Sequence, residues 1–71
     1  MMPLLMADIG TVNVIQRVGG KAETRQFLEN LGFVAGEQVT VVSKSSGNLI
    51  VNVKDSRVAI GQDMAGKIMV Q

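Results

Sequence analysis

Short aliphatic runs alternating with polar residues, and cut apart by glycine, make up most of the chain. Leu49 to Asp55 (LIVNVKD) puts Leu49, Val51 and Val53 on one face and Asn52 and Lys54 on the other, beside Ile50. That period of two is the signature of a half-buried strand. Val39 to Lys44 (VTVVSK) reads the same way. Between them lies Ser45-Ser46-Gly47-Asn48, where Gly47 and Asn48 tolerate the positive φ of a tight turn, so a hairpin is expected. Thr11 to Val18 (TVNVIQRV) places Val12, Val14 and Val18 on one side and Thr11, Asn13 and Arg17 on the other. Ile15 and Gln16 break that alternation, which points to a bulge or to a strand buried in part on both faces. Arg57 to Ile60 and Lys67 to Val70 read as two further strands, with one helical turn expected near residues 62–65.

One segment has helical periodicity, from about Lys21 to Leu31. Thr24, Phe27, Leu28 and Leu31 fall on one stripe, while Glu23, Arg25, Gln26, Glu29 and Asn30 face outward. Gly32 suits the left-handed position that closes a helix, with Phe33 placed to pack back on Leu28. Val34-Ala35-Gly36-Glu37 then reads as a type II turn with Gly36 at its positive-φ position. A strand, a helix and four short strands imply a sheet too small to stay flat. The expected architecture is mainly β, a small barrel of about five short strands with the helix over one opening.

Composition narrows the chemistry. Seventy-one residues make a single domain, 1–71, that buries about 60% of its unfolded surface. There is no Cys and no His, which removes thiolate nucleophiles, disulfides and the commonest general base and transition-metal ligand. The acids Asp8, Glu23, Glu29, Glu37, Asp55 and Asp63 are singly spaced, so they read as solvated surface and no metal or cofactor is expected. The five methionines read as packing residues. Gly19-Gly20-Lys21 lacks the rest of a phosphate-loop pattern. Seven basic against six acidic residues leave a net charge of +1, spread evenly, and the only aromatics are Phe27 and Phe33. A nucleic-acid surface or an aromatic groove for proline-rich peptides is therefore not expected. The opening Met-Met-Pro-Leu-Leu-Met-Ala lacks the charged leader of a signal peptide, and Asp8 interrupts it; no apolar run is long enough to span a membrane. These features describe a non-enzymatic chain inside the cell that acts through its surface.

Several segments together resemble the FeoA family, small proteins of bacterial ferrous iron uptake. They are Asp8-Ile9-Gly10-Thr11-Val12-Asn13-Val14, Thr24-Arg25-Gln26-Phe27-Leu28, the run from Leu31-Gly32-Phe33-Val34-Ala35-Gly36-Glu37 to Val42, and Arg57-Val58-Ala59-Ile60 followed by Ala65, Ile68 and Val70. The family often has Pro where this chain has Ile9 and Ala35. The resemblance implies an SH3-like barrel and a cytoplasmic accessory protein that binds the membrane transporter of the FeoB type at its cytoplasmic portion, recruited by it to the inner face of the membrane. An SH3-like module of the kind appended to iron-dependent repressors is the alternative, opposed by the absence of a DNA-binding segment before Thr11; a small-barrel nucleic-acid binder is another. Val34, between the helix ending and the next strand, is expected to face solvent and to contact the partner, with Arg25 and Arg57 as a polar rim. Gly32, Gly36 and Gly47 are expected to serve the turns.

Overall fold

The computed structural model describes residues 1–71. Its elements are β1 (Met2–Pro3), a 3-10 turn (Leu4–Met6), β2 (Val12–Val18), α1 (Ala22–Asn30), β3 (Gln38–Lys44), β4 (Asn48–Val53), β5 (Ser56–Gly61), α2 (Gln62–Ala65) and β6 (Ile68–Val70). The strands form one curled sheet in the order β1-β6-β2-β3-β4-β5, and every neighbouring pair is antiparallel. β2 joins the two halves, pairing with β6 through one edge and β3 through the other. Leu28, Phe33, Val39, Val41, Leu49, Val51, Val53, Ile68 and Val70 fill the space the curl encloses. The mainly β barrel and the helical turn at 62–65 are as expected, with one strand more. The extra strand is β1, which pairs Met2 with Val70 and Pro3 with Met69. The 3-10 turn after it sends Leu4 into the core and Ala7 is buried beside it, so the apolar opening of the chain is structural.

α1 sits within the expected bounds but buries a narrower stripe. Leu28 is its one fully buried residue, and Leu31, just past its end, packs against the core. Phe27, expected inward, is 52% exposed, because one residue turns a helix by about 100° and only the Leu28 line meets the barrel. The helix ending is a complete Schellman motif. The Phe33 amide donates to the Leu28 carbonyl and the Gly32 amide to the Glu29 carbonyl, each at 3.0 Å, with Gly32 at φ +111°. The next turn also forms as expected: the Glu37 amide donates to the Val34 carbonyl at 3.1 Å, and Gly36 stands at φ +92°.

The hairpins divide their turn chemistry differently from expectation. Gly47 does not adopt positive φ. The Ser45 amide closes on the Asn48 carbonyl at 2.9 Å, and the tip is pinned from α2, where the Gln62 amide and Nε2 donate to the carbonyls of Gly47 (3.2 Å) and Ser46 (2.9 Å). The positive φ expected there falls instead at Lys54 (50°) and Asp55 (62°), the two-residue type I′ loop between Val53 and Ser56. β4 therefore stops at Val53, short of the expected Asp55. No glycine marks this loop.

β2 carries the largest correction. Asn13 and Ile15 are buried, at 4% and 1% exposure, while Val12 and Val14 point outward, at 57% and 37%. A bulge lies between Ile15 and Arg17, as the broken alternation suggested. The extra residue, Gln16, changes the phase: Ile15 pairs with buried Val70 and Val18 with buried Ile68. Val18 thus shares a side with Ile15 and Asn13, not with Val12 and Val14.

Candidate interaction surface

The outward phase of β2 makes the end of a cross-strand row. Val12 pairs with Thr40, Thr40 with Asn52 and Asn52 with Arg57, so four strands contribute one residue each to the same face. Val14 lies two residues along, opposite Gln38, and exchanges backbone hydrogen bonds with Gln71 (3.1 and 2.9 Å). The row runs from an apolar end at Val12 and Val14 to a cationic end, where Arg57 Nε donates to Asn52 Oδ1 at 3.2 Å. An open depression of about 450 Å³ lies on this face, lined by Val12, Glu37, Gln38, Thr40, Asn52, Val53, Lys54 and Asp55. Its lining carries two carboxylates and one ammonium, so no single sign of charge dominates.

The three partner-contact residues chosen from sequence do not converge here. Arg57 stands at the end of the row, Arg25 is exposed on α1, and none of the three lines the depression. Val34 is partly buried, not free in solvent as expected, because the turn holds its amide to the Gly32 carbonyl (3.0 Å) and its own carbonyl to Glu37. The sequence groups Val12 and Val14 on one side with Val18 and gives that side no direction. The signal that could have placed them outward is Asn13 beside the bulge: its carboxamide is enclosed, with Nδ2 donating to the Thr11 carbonyl at 3.0 Å. No three carboxylates gather closely enough to hold a metal ion, and no helix is long and apolar enough to cross a membrane.

A family model described as the FeoA domain matches residues 2–71. The chain belongs to the FeoA domain family. It is 31% identical over 71 residues to an Fe(2+) transport protein A of Methanocaldococcus jannaschii, covering all of this chain and 87% of that one. Among solved structures, an iron uptake regulatory protein (FeoA) superposes with a TM-score of 0.91 at 28% identity, over 99% of this chain and 95% of that one. The zinc-complexed FeoA of Stenotrophomonas maltophilia, described as a prokaryotic SH3 domain protein, gives 0.87 at 28% identity, over 100% and 91%. Fe(2+) transport is thus the family's setting, and the SH3-like architecture is shared. A manganese-dependent transcriptional repressor also superposes, with a TM-score of 0.84 over 93% of this chain and 38% of its own. At 16% identity that likeness shows the fold alone.

Proposed function

We propose that this FeoA-domain chain is a non-enzymatic accessory protein of ferrous iron uptake, cytoplasmic, that binds the cytoplasmic portion of a FeoB-type membrane transporter. The match of the FeoA family model to residues 2–71 carries the reading. The outward face of β2 to β5 supports an interaction role. It exposes Val12 and Val14 at the cost of burying Asn13, and departures from ordinary patterning concentrate where a surface has work to do. Val12 and Val14 form the apolar centre of the interface and Arg57 its polar rim. Val34, on the turn that leads into Glu37, and Arg25, on α1, are further contacts outside that centre.

The test is affinity capture of the transporter's cytoplasmic portion by the purified chain, with thermal midpoints on the same samples. Val12→Asp with Val14→Asp leaves the midpoint nearly unchanged and weakens binding by more than about 1 kcal/mol. Val34→Asp weakens it less. Undiminished capture by the double variant removes the face from the interface. Failure of the native chain to capture the transporter at all removes the partner.

A further inference from the structure

The sheet is not closed, and its two edges differ. β1 is two residues long and ends in Pro3, so it offers almost nothing to a further strand. β5 spans six residues, pairs with β4 at every position without a bulge, and contains neither proline nor lysine. Its one charge, Arg57, leans back across β4 onto Asn52. Neither proline, lysine nor a bulge blunts this edge. The two-residue loop makes Val53 and Ser56 a hydrogen-bonded pair, and antiparallel pairing alternates from that point. Ser56, Val58 and Ile60 therefore turn their backbone groups toward β4, while Arg57, Ala59 and Gly61 turn theirs outward.

We propose that the β5 edge pairs antiparallel with the β5 edge of a second copy of this chain, making a two-fold dimer with one continuous sheet. The strand is self-complementary in a single register that uses all three outward residues. Ala59 stands opposite Ala59 of the second copy on the two-fold axis, and Arg57 opposite Gly61. The intervening Val58 meets Ile60. Arg57 thereby faces no like charge, the axis is occupied by the smallest side chain of the strand after glycine, and the apolar residues meet each other. At the Gly61 end the strand runs directly into α2, whose first turn carries Asp63, so the Arg57 end of one copy lies beside the acidic end of the other. The pairing leaves Val12 and Val14 uncovered, and of the proposed transporter face it engages only Arg57, at the rim. A single strand edge buries far less than the roughly 1,600 Å² of a standard interface, and a dissociation constant of about 100 μM is the scale expected.

Sedimentation equilibrium of the full chain tests this, with thermal midpoints measured alongside. The native chain dimerises reversibly as its concentration rises to about 1 mM, ten times the expected dissociation constant. Ala59→Pro removes an amide that β4 does not use, so the fold is retained. It deletes two hydrogen bonds across the axis and weakens the dimer roughly 30-fold. Ala59→Glu and Ala59→Lys, each monomeric alone at low salt because like charges meet at the axis, recover dimers when mixed. A native chain that stays monomeric throughout, or an Ala59→Pro variant that dimerises as the native chain does, overturns the proposal. Should Ala59→Pro lower the midpoint, the mixing experiment decides, and failure to recover dimers on mixing overturns it equally.

Discussion

Strands β4 and β2 both alternate valine with asparagine, yet they meet the core in opposite ways. In β4 the aliphatics Leu49, Val51 and Val53 are buried and Asn52 is exposed. In β2 the asparagine is buried and the two flanking valines are exposed. Alternation states only that odd and even positions part company; which set faces inward is decided by what the strand is bonded to. β4 pairs with β5 without a break, and the one shift in its pairing with β3 falls on the β3 side at Val42, so its own alternation is undisturbed and its larger apolar set wins. β2 is held to β6 beyond a bulge and to β3 before it, and Ile15 is the fixed point between them. Its amide donates to Glu37 at 2.9 Å, its carbonyl accepts from Gly36 at 2.8 Å, and its side chain is 1% exposed. Once Ile15 points in, Asn13 must follow and Val12 and Val14 must not.

The sharpest test of the contrast is a pair of truncations. Leu49→Ala, in a wholly buried position, should cost about 2–5 kcal/mol by chemical denaturation, enough to unfold much of so small a domain. Val12→Ala should stay within about 0.5 kcal/mol. Comparable losses from the two would mean that Val12 packs inward and that β2 follows the simpler phase.

Removing the bulge tests whether Ile15 alone holds the phase. Deleting Gln16 leaves β2 with an unbroken alternation in which Ile15 and Val18, then two apart, still meet the β6 residues Val70 and Ile68 from the same side. The inward phase of Ile15 should survive, with a change of no more than about 1 kcal/mol in the denaturation free energy. A loss of several kcal/mol would show that the bulge is needed for the bend it gives the strand and not only to absorb one residue.

These two strands also mark what could be read from the sequence and what could not. The helix, its Schellman ending, the turn at Gly36 and the β3–β4 pairing rest on local signals within a few residues, and all formed where expected. β1 was missed because two residues carry no period; only the pairing with β6 makes Met2–Pro3 a strand. The Lys54–Asp55 loop was missed because no glycine marks it and Lys54 does not favour positive φ, although Asp55 tolerates it; the tight hairpin imposes it. Phe27 was misplaced because the barrel meets α1 along one line and not a broad stripe. The apolar face at Val12 and Val14 was hidden by the step left untaken: a bulge was legible, but its consequence for phase depends on Ile15's partners far along the chain.

Asn13 offers a milder probe of the same inversion. Replacing it by valine, similar in size and better suited to a strand, exchanges an enclosed carboxamide for an apolar group. The Thr11 carbonyl that accepts from its Nδ2 belongs to an exposed residue and can turn to water. Asn13→Val should therefore stabilise by about 1 kcal/mol, the scale of strand preference in a host sheet. A clear loss in the denaturation midpoint would mean that the carboxamide holds the Thr11 backbone to β2 more firmly than one hydrogen bond suggests.

The smallest expected effect concerns the turn that clasps Ile15. Val34-Ala35-Gly36-Glu37 is closed by the Glu37-to-Val34 bond, and Gly36 and Glu37 then supply both hydrogen bonds to the Ile15 backbone. Ala35 occupies the first central position, where a type II turn takes φ near −60°, the value proline's ring imposes. The Ala35 amide donates to no backbone carbonyl outside the helices and strands, so replacing it forfeits nothing there. Ala35→Pro should thus stabilise by about 0.4–1 kcal/mol, chiefly by restricting the unfolded chain. Because the clasp is stiffer, exchange of the Ile15 amide with solvent should slow along with the rise in midpoint, while the Val51 amide in β4 slows only as far as global stability changes. A fall in midpoint would mean that Ala35 departs from the type II conformation. Equal slowing at both amides would mean that the turn does not act on β2 in particular, and that the phase of that strand is set by the bulge alone.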